Sequence, residues 1–142
     1  MHVKDYLTRE MEILHDDTPL PQILQRAETS PYPNFVVLDD HDELSGVLTL
    51  WDLRKVQWPR EEAAQPLTAR DLKTPEAVTV HPDDDFEMAF KLLQHKNFSF
   101  LPVVLPPRDK VVVGILKIDD VLTAYNQRLL KDRVLRYPPP AS

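Results

Sequence analysis

Gly46-Val47-Leu48-Thr49-Leu50-Trp51-Asp52-Leu53 returns later in the chain as Gly114-Ile115-Leu116-Lys117-Ile118-Asp119-Asp120-Val121, and these stretches hold the only two glycines among 142 residues. A residue type used only twice, at matching places in otherwise diverged segments, marks backbone positions where a side chain would be in the way. After each glycine come a short apolar run, one polar residue, two spacers and an aspartate. That order reads as a strand delivering a hydroxyl or ammonium, and then a carboxylate, to the start of a helix.

Working outward, the match extends over most of the chain and identifies a duplicated supersecondary unit. Val3 to Val56 lies over Ala69 to Tyr125 with a shift of 66 that grows to 68 through one-residue insertions in the loops. Asp5 then meets Asp71, His15 meets His81, Val36-Val37-Leu38 meets Val103-Val104-Leu105, and Asp52 meets Asp120. Each repeat opens with a polar segment and a short apolar strand, Glu12 to Leu14 and Val78 to Val80. A helix follows, with one buried stripe: Leu20, Ile23, Leu24 and Ala27 in the first, Phe86, Ala89, Phe90 and Leu93 in the second. Thr18 before Pro19 reads as an N-cap, and Asp84 with Glu87 as a capping box.

Two apolar runs around a polar loop then read as a hairpin in each repeat, Phe35 to Leu38 with Leu44 to Leu48, and Phe100 to Leu105 with Val111 to Leu116. Pro102 belongs at an edge or bulge, because it has no N–H to give a central ladder. Each repeat closes with a helix beginning near Leu50 or Ile118. The chain therefore reads as α+β, with βαββα repeats at residues 3–57 and 69–130. A proline-bracketed linker joins them at 58–68, and a helix end with a proline-rich tail follows at 131–142.

Composition narrows the function. A formal charge of −6 argues against a nucleic-acid backbone binder, whose affinity comes from clustered Lys and Arg releasing counterions. With no cysteine, disulfides, thiol nucleophiles and iron–sulfur ligation are excluded, and a reducing, cytoplasmic setting is the simpler reading. No apolar run approaches the roughly 20 residues of a membrane-spanning helix, so the chain reads as soluble as it stands.

Two βαββα units, each with an apolar-Val-Val strand, a hairpin and Gly-x-x-polar-x-x-Asp-apolar, resemble a tandem pair of CBS domains, a regulatory module. The resemblance runs from Val3 to about Leu130. It implies a pseudo-twofold pair with two clefts that bind adenosine-containing ligands: AMP, ADP, ATP or S-adenosylmethionine. By the resemblance, the closing aspartate takes the ribose hydroxyls and the polar residue three before it approaches ribose or phosphate. One cleft then combines Thr49 and Asp52 with Thr74, Ala77, Val78 and the Asn97-Phe98-Ser99 turn. The other combines Lys117 and Asp120 with Thr8, Met11, Glu12 and the Tyr32-Pro33-Asn34 turn, where Tyr32 reads either as stacking on adenine or, as an aromatic before a strand more often does, as core. Lys117 departs from the threonine that the pattern prefers, which puts ribose binding there in doubt but offers a charge for a di- or triphosphate. The resemblance also implies a homodimer, with Leu50, Trp51 and the last helix as contacts. The close, Gly114 to Leu130, is similar to that of the cytosolic CBS pair of prokaryotic ClC-type chloride channels and transporters, which implies a membrane domain in a parent protein. A pure dimerisation module with vacant clefts, or the Mg²⁺-sensing CBS pair of another transporter, is the alternative.

Other readings stand beside these. An aspartate at a helix start is stabilised by free N–H groups and the helix dipole whether or not a ligand comes, so Asp52 and Asp120 also read as caps. Asp83-Asp84-Asp85 offers oxygen ligands for Mg²⁺ or Ca²⁺ but reads first as capping. The five histidines do not form a metal-ligand pattern, and no required cofactor is expected. No nucleophile–base set or phosphate-cradling glycine loop is present, so the chain is read as a sensor and not an enzyme.

Overall fold

Strand Phe35–Leu38 has no polar residue on either face, and such a run belongs in a sheet covered on both sides. In the computed structural model, which describes residues 1–56, 66–75, 77–96 and 98–136, that is where it lies. The elements run β1 (Glu12–His15), α1 (Leu20–Thr29), β2 (Phe35–Leu38), β3 (Leu44–Leu48), α2 (Leu50–Arg54), α3 (Ala69–Leu72), α4 (Phe86–Lys96), β4 (Phe100–Val104), β5 (Val112–Lys117) and α5 (Ile118–Arg136), with a 3₁₀ turn at Val3–Asp5 before them. The mixed α+β fold expected from the repeats is the one observed.

In the first half, β2 pairs in parallel with β1 and antiparallel with β3. In the second half, β4 pairs antiparallel with β5. The strand expected at Val78 to Val80 shrinks to a single parallel bridge between Val80 and Val103. Pro102 explains why: its carbonyl accepts the Val80 N–H at 3.1 Å, but it has no N–H to extend the ladder.

The alternating faces of the sheets build three cores. Phe35 and Val37 pack with Leu20, Ile23 and Leu53 of the first half's helices, and Leu101 and Val103 pack with Phe86, Ala89, Leu93 and Val121 of the second's. Val36 and Leu38 meet Phe100 and Ile115 between the halves. In α1 the stripe residues Leu20 and Ile23 are buried and Leu24 and Ala27 partly so, as the 3.6-residue period requires.

Register corrects the repeat alignment. Val37 stands opposite Gly46, Val103 opposite Gly114, and a bulge follows each of these valines. Val36-Val37-Leu38 therefore matches Pro102-Val103-Val104, one residue earlier than the side-chain pattern suggested. Both inserted residues fall in the second hairpin loop, and apolar Leu105, expected at a strand end, lies in that loop. Cross-strand partners and the bulge set register, and a run of similar apolar residues does not reveal either.

The helix starts differ by one residue too. Thr18 does not cap α1; its Oγ1 accepts the His15 N–H at 3.0 Å. Asp84 does the matching job for the His81 N–H at 2.8 Å, and Asp85 caps α4 by accepting the Met88 N–H at 3.1 Å. The ring of each histidine then reaches the hairpin loop of its own half. His15 Nε2 lies 2.8 Å from Asp42 Oδ1, and His81 Nε2 lies 2.6 Å from Asp109 Oδ1. Both aspartates hold left-handed backbone, φ 57° and 59°, which Asp tolerates better than most residues.

The halves exchange their opening segments. Val3, Tyr6 and Leu7 pack in the second half's core, while Leu67, Ala69 and Leu72 pack in the first's. The backbone bonds follow the same rule in both directions. Val3 N–H donates to Asp84 and Lys4 N–H to Pro82, as Ala69 N–H donates to Thr18 and Arg70 N–H to Asp16. Each segment then adds a bridge to the opposite sheet, Thr8 on Ile115 and Thr74 on Val47.

Those bridges account for the two glycines. A Cβ on Gly46 would stand 2.5 Å from the Thr74 carbonyl oxygen, and one on Gly114 would stand 2.8 Å from that of Thr8. Neither glycine has a positive φ, so close approach and not backbone freedom is what glycine supplies. Gly46→Ala is expected to destabilise the chain by about 1–3 kcal/mol, the usual cost of overpacking a rigid contact. Gly114→Ala should cost less, because the clash is longer and half of it is with the movable Leu7 side chain. Urea unfolding of the two variants checks both the sign and the order.

Candidate functional site

Thr49 is the N-cap of α2, and Asp52 is the third residue of that helix. The Asp52 Oδ2 accepts the Thr49 N–H at 2.8 Å and its hydroxyl at 3.1 Å, while Thr49 Oγ1 faces the Asp52 N–H at 3.3 Å. This is a capping box with aspartate in the glutamate place. The same Thr-x-x-Asp device starts α3, where Asp71 Oδ2 accepts the Thr68 N–H at 2.9 Å. Capping thus accounts for one oxygen of Asp52; its Oδ1 has no hydrogen bond within the described residues and is left for another donor.

Asp52 and Thr74 line one cavity of about 520 Å³, together with Lys55, Asp71 and Lys73. Thr49 is not part of its lining and is joined to it only through its bond to Asp52. The crossing segment brings Thr74 here: its N–H donates to Val47 at 2.8 Å, two residues before Thr49. Phe98 and Ser99 do not join this cavity. They line a second one of about 460 Å³ with Leu93, Gln94, Ile118 and Leu122. Val78 packs against the second half's core, and Ala77 is half-buried and lines neither cavity. Asn97 lies outside the described residues.

In the other half Lys117 occupies the place of Thr49. Its ammonium lies 2.6 Å from Glu10 Oε2 and 3.7 Å from Asp120 Oδ2. The Glu10 hydrogen bond, opposed by desolvation and helped by Asp120, raises the Lys117 pKa above 10.5. Thr8 bridges Ile115, and its Oγ1 accepts the Glu10 N–H at 3.2 Å. Met11 packs between the sheets. Glu12 Oε1 accepts the Ser30 hydroxyl at 2.6 Å, and Asn34 is buried with its carbonyl accepting the Glu12 N–H. Tyr32 is 36 % exposed and its backbone N–H donates to Ser30, so its ring belongs to the surface and not to a core.

Sequence reasoning missed the group that fixes the crossing segment over Gly46. Lys73 Nζ donates to Asp16 Oδ1 at 2.8 Å and to Ser45 Oγ, and Ser45 Oγ lies 2.8 Å from the same carboxylate oxygen. Both ends of the pair are largely buried. The equivalent positions in the other half are Leu7, Pro82 and Val113, an apolar solution to the same contact. A comparison of the repeats position by position contained that signal, since the shifts of 66 and 68 already pair Lys73 with Leu7, Asp16 with Pro82 and Ser45 with Val113. Burial pushes the Asp16 carboxyl up, yet the Lys73 and Ser45 hydrogen bonds and the Lys73 and Arg70 charges together hold it below 3.8.

The acidic run is fully used. Asp83 pairs with Lys4 at 3.0 Å, and Asp84 and Asp85 accept backbone N–H groups. Among the described residues, no group of three or more His, Asp and Glu is placed to hold a metal ion. No helix among them is long and apolar enough to cross a membrane.

Comparison with known proteins shows the family and the fold. The model of the CBS domain matches residues 3–58 and 69–127. Among curated proteins, magnesium transporter MgtE of Thermus thermophilus is 35% identical over 106 residues, 75% of this chain and 21% of that protein. A homoserine O-acetyltransferase of Methanosalsum zhilinae is 24% identical over 120 residues, 84% of this chain and 23% of that one. The chain thus spans less than a quarter of the length of these relatives. Among solved structures, CBSX2 in complex with AMP superposes with a TM-score of 0.75 at 26% identity, covering 90% of this chain and 98% of that one. CBSX2 from Arabidopsis thaliana gives the same TM-score at 25% identity, covering 91% and 96%. The cytosolic domain of the Mg²⁺ channel MgtE in complex with ATP gives 0.69 at 27% identity, covering 84% and 46%.

Lys73→Leu is expected to destabilise the chain by about 2 kcal/mol, the size of a charge-assisted hydrogen bond, by stranding Asp16. Adding Asp16→Ala and Ser45→Val, after the apolar half, should recover most of that loss in urea unfolding. The pH dependence has a fixed sign. A carboxyl held below 3.8 contributes stability that is present above that value and lost as pH falls through the lower folded value. Thermal unfolding from about pH 6 to about pH 3 should therefore fall more steeply in the wild type than in the triple variant.

Proposed function

Because the chain belongs to the CBS domain family, we propose that it is a regulatory module whose first cleft, built on Thr49, Asp52 and Thr74, binds an adenosine-containing ligand such as AMP, ADP, ATP or S-adenosylmethionine. One observation carries the reading: a carboxylate held through Oδ2 by its own helix cap, with no partner for Oδ1 among the described residues, lines a cavity of about 520 Å³ whose far wall is the other repeat's opening segment. A carboxylate accepts hydrogen bonds only, so it takes both hydroxyls of a ribose without rearrangement. The AMP and ATP in the structures of CBSX2 and MgtE support the ligand class.

The mechanism is conformational. A ligand in this cleft touches α2 of the first half and the crossing segment of the second, so it favours one relative arrangement of the two. It shifts that equilibrium only by its difference in affinity for the arrangements. The host is proposed to be a longer protein with a membrane domain, either a ClC-type chloride channel or transporter, from the close at Gly114 to Leu130, or a magnesium transporter, from the likeness to MgtE.

A second reading rests on exposed apolar surface. Trp51 is 65 % exposed beside Leu50 on α2, with the Arg54 guanidinium 5.7 Å from its ring centre, and Leu129 and Leu130 are exposed on α5. Such residues suit a homodimer held through helix faces, with the clefts serving no ligand.

Asp52→Asn keeps an oxygen to cap α2 and removes the charge. Calorimetric titration with AMP, ATP and S-adenosylmethionine should show at least one of them binding the wild type and about tenfold weaker binding to Asp52→Asn. If none of these ligands at millimolar concentration raises the melting temperature, while Trp51→Glu splits a dimer in light scattering, the dimerisation reading replaces the sensor.

A further inference from the structure

The second half carries the same closing aspartate as the first, yet its surroundings are chemically different. In the first half, Thr49 Oγ1 serves both as donor and as acceptor toward Asp52, which uses Oδ2 of that residue, and among the described residues Oδ1 has no hydrogen-bond partner. In the second half, Lys117 stands in that place, and an ammonium is a donor only. It ties Asp120 Oδ2 at 3.7 Å and Glu10 Oε2 at 2.6 Å into one group. Glu10 belongs to the opening segment that crosses from the first repeat, two residues after Thr8, whose equivalent Thr74 lines the first cavity. The ion pair therefore ties together the two walls between which a ligand would have to sit.

The geometry assigns to Lys117 and Glu10 the role of an internal plug that closes the second cleft and sets the capacity of the module at one nucleotide per chain. This rests on the reading of the first cleft given above. Two physical arguments support it. A ligand entering between these two walls would have to part the Lys117 ammonium from Glu10, its hydrogen-bond partner across the cleft, whereas no described residue makes an equivalent bond from Thr49 to the crossing segment of the first cleft. A phosphate that reached for the ammonium would meet the Glu10 carboxylate already bound to it, so like-charge repulsion cancels what the cation offers. Lys117 is thus the residue that separates the two halves in specificity, even though both keep Gly-x-x-x-x-x-Asp. The side chain is only 22 % exposed, and the pair that holds it is 107 residues long in sequence but a single contact in space.

The test is the stoichiometry of AMP binding to the whole chain by isothermal titration. Wild type is expected to bind one AMP per chain, and Asp120→Asn to leave both the number and the affinity within about twofold, since Asp120 is outside the occupied cleft. Lys117→Thr, which gives the second half the same residue as Thr49, should raise the number to two, and Lys117→Ser should do the same should the first variant fold poorly by circular dichroism. A wild type that binds two AMP, or folded Lys117→Thr and Lys117→Ser proteins that bind no more than wild type, overturns the plug. The two readings fail separately. A wild type that binds none while Lys117→Thr binds one rejects the first cleft and upholds the plug; a wild type that binds one, unchanged by Lys117→Thr, does the reverse.

Discussion

Two backbone carbonyls, of Thr74 over Gly46 and of Thr8 over Gly114, lie so close to the opposite strand that no β-carbon fits beneath them. Most of the architecture depends on that contact. It lets each opening segment leave its own repeat and add a bridge to the other's sheet, and it seats Ala69 and Val3 in cores they do not adjoin in sequence. The packing units are accordingly not the sequence repeats. Each contains the opening segment of its neighbour, so neither repeat buries its apolar faces without the other.

The crossing is sealed differently on the two sides. Over Gly46, the Lys73 stem covers the strand and its ammonium is held by Asp16 and Ser45; over Gly114, Leu7 does the covering, with Val113 beside it in the same core. A polar group of this kind is stable because all its members are satisfied, and among the described residues no buried side-chain polar atom lacks a partner. The first half thus places a charged, pH-responsive fastening next to the cavity that holds Asp52 and Thr74. The second half has an oily contact there and spends its lysine, Lys117, on Glu10 and Asp120. A duplicated unit has become two unequal halves through a handful of side chains.

Asp52 shows why site residues are harder to read than folds. The sequence supports both a cap and a ligand carboxylate, and the structure finds the two compatible, because capping uses Oδ2 alone. Thr68 and Asp71 repeat the device at α3, so the spacing by itself names a helix start and not a binding site. Phe98 and Ser99 illustrate the opposite difficulty. The family resemblance groups them with Asp52, whereas they line a separate cavity against α4 and α5.

The sequence alone determined the duplication, the α+β composition, the buried stripe of α1 and α4 and the special standing of the two glycines, because each follows from local periodicity or from a residue whose chemistry is unmistakable. It did not determine the exact strand register, which moved by one residue, nor that Thr18 and Asp84 bind histidine N–H groups instead of capping helices. The register depends on cross-strand partners and a bulge, and Thr18 and Asp84 choose between neighbouring backbone N–H groups, so residue type alone does not decide either. Only the tertiary structure could reveal the exchange of opening segments, the Lys73–Asp16–Ser45 group spanning 57 residues and the Lys117–Glu10 pair spanning 107. The physical reason is the same in each case: periodicity reports which face of an element is apolar, but not which distant face will cover it.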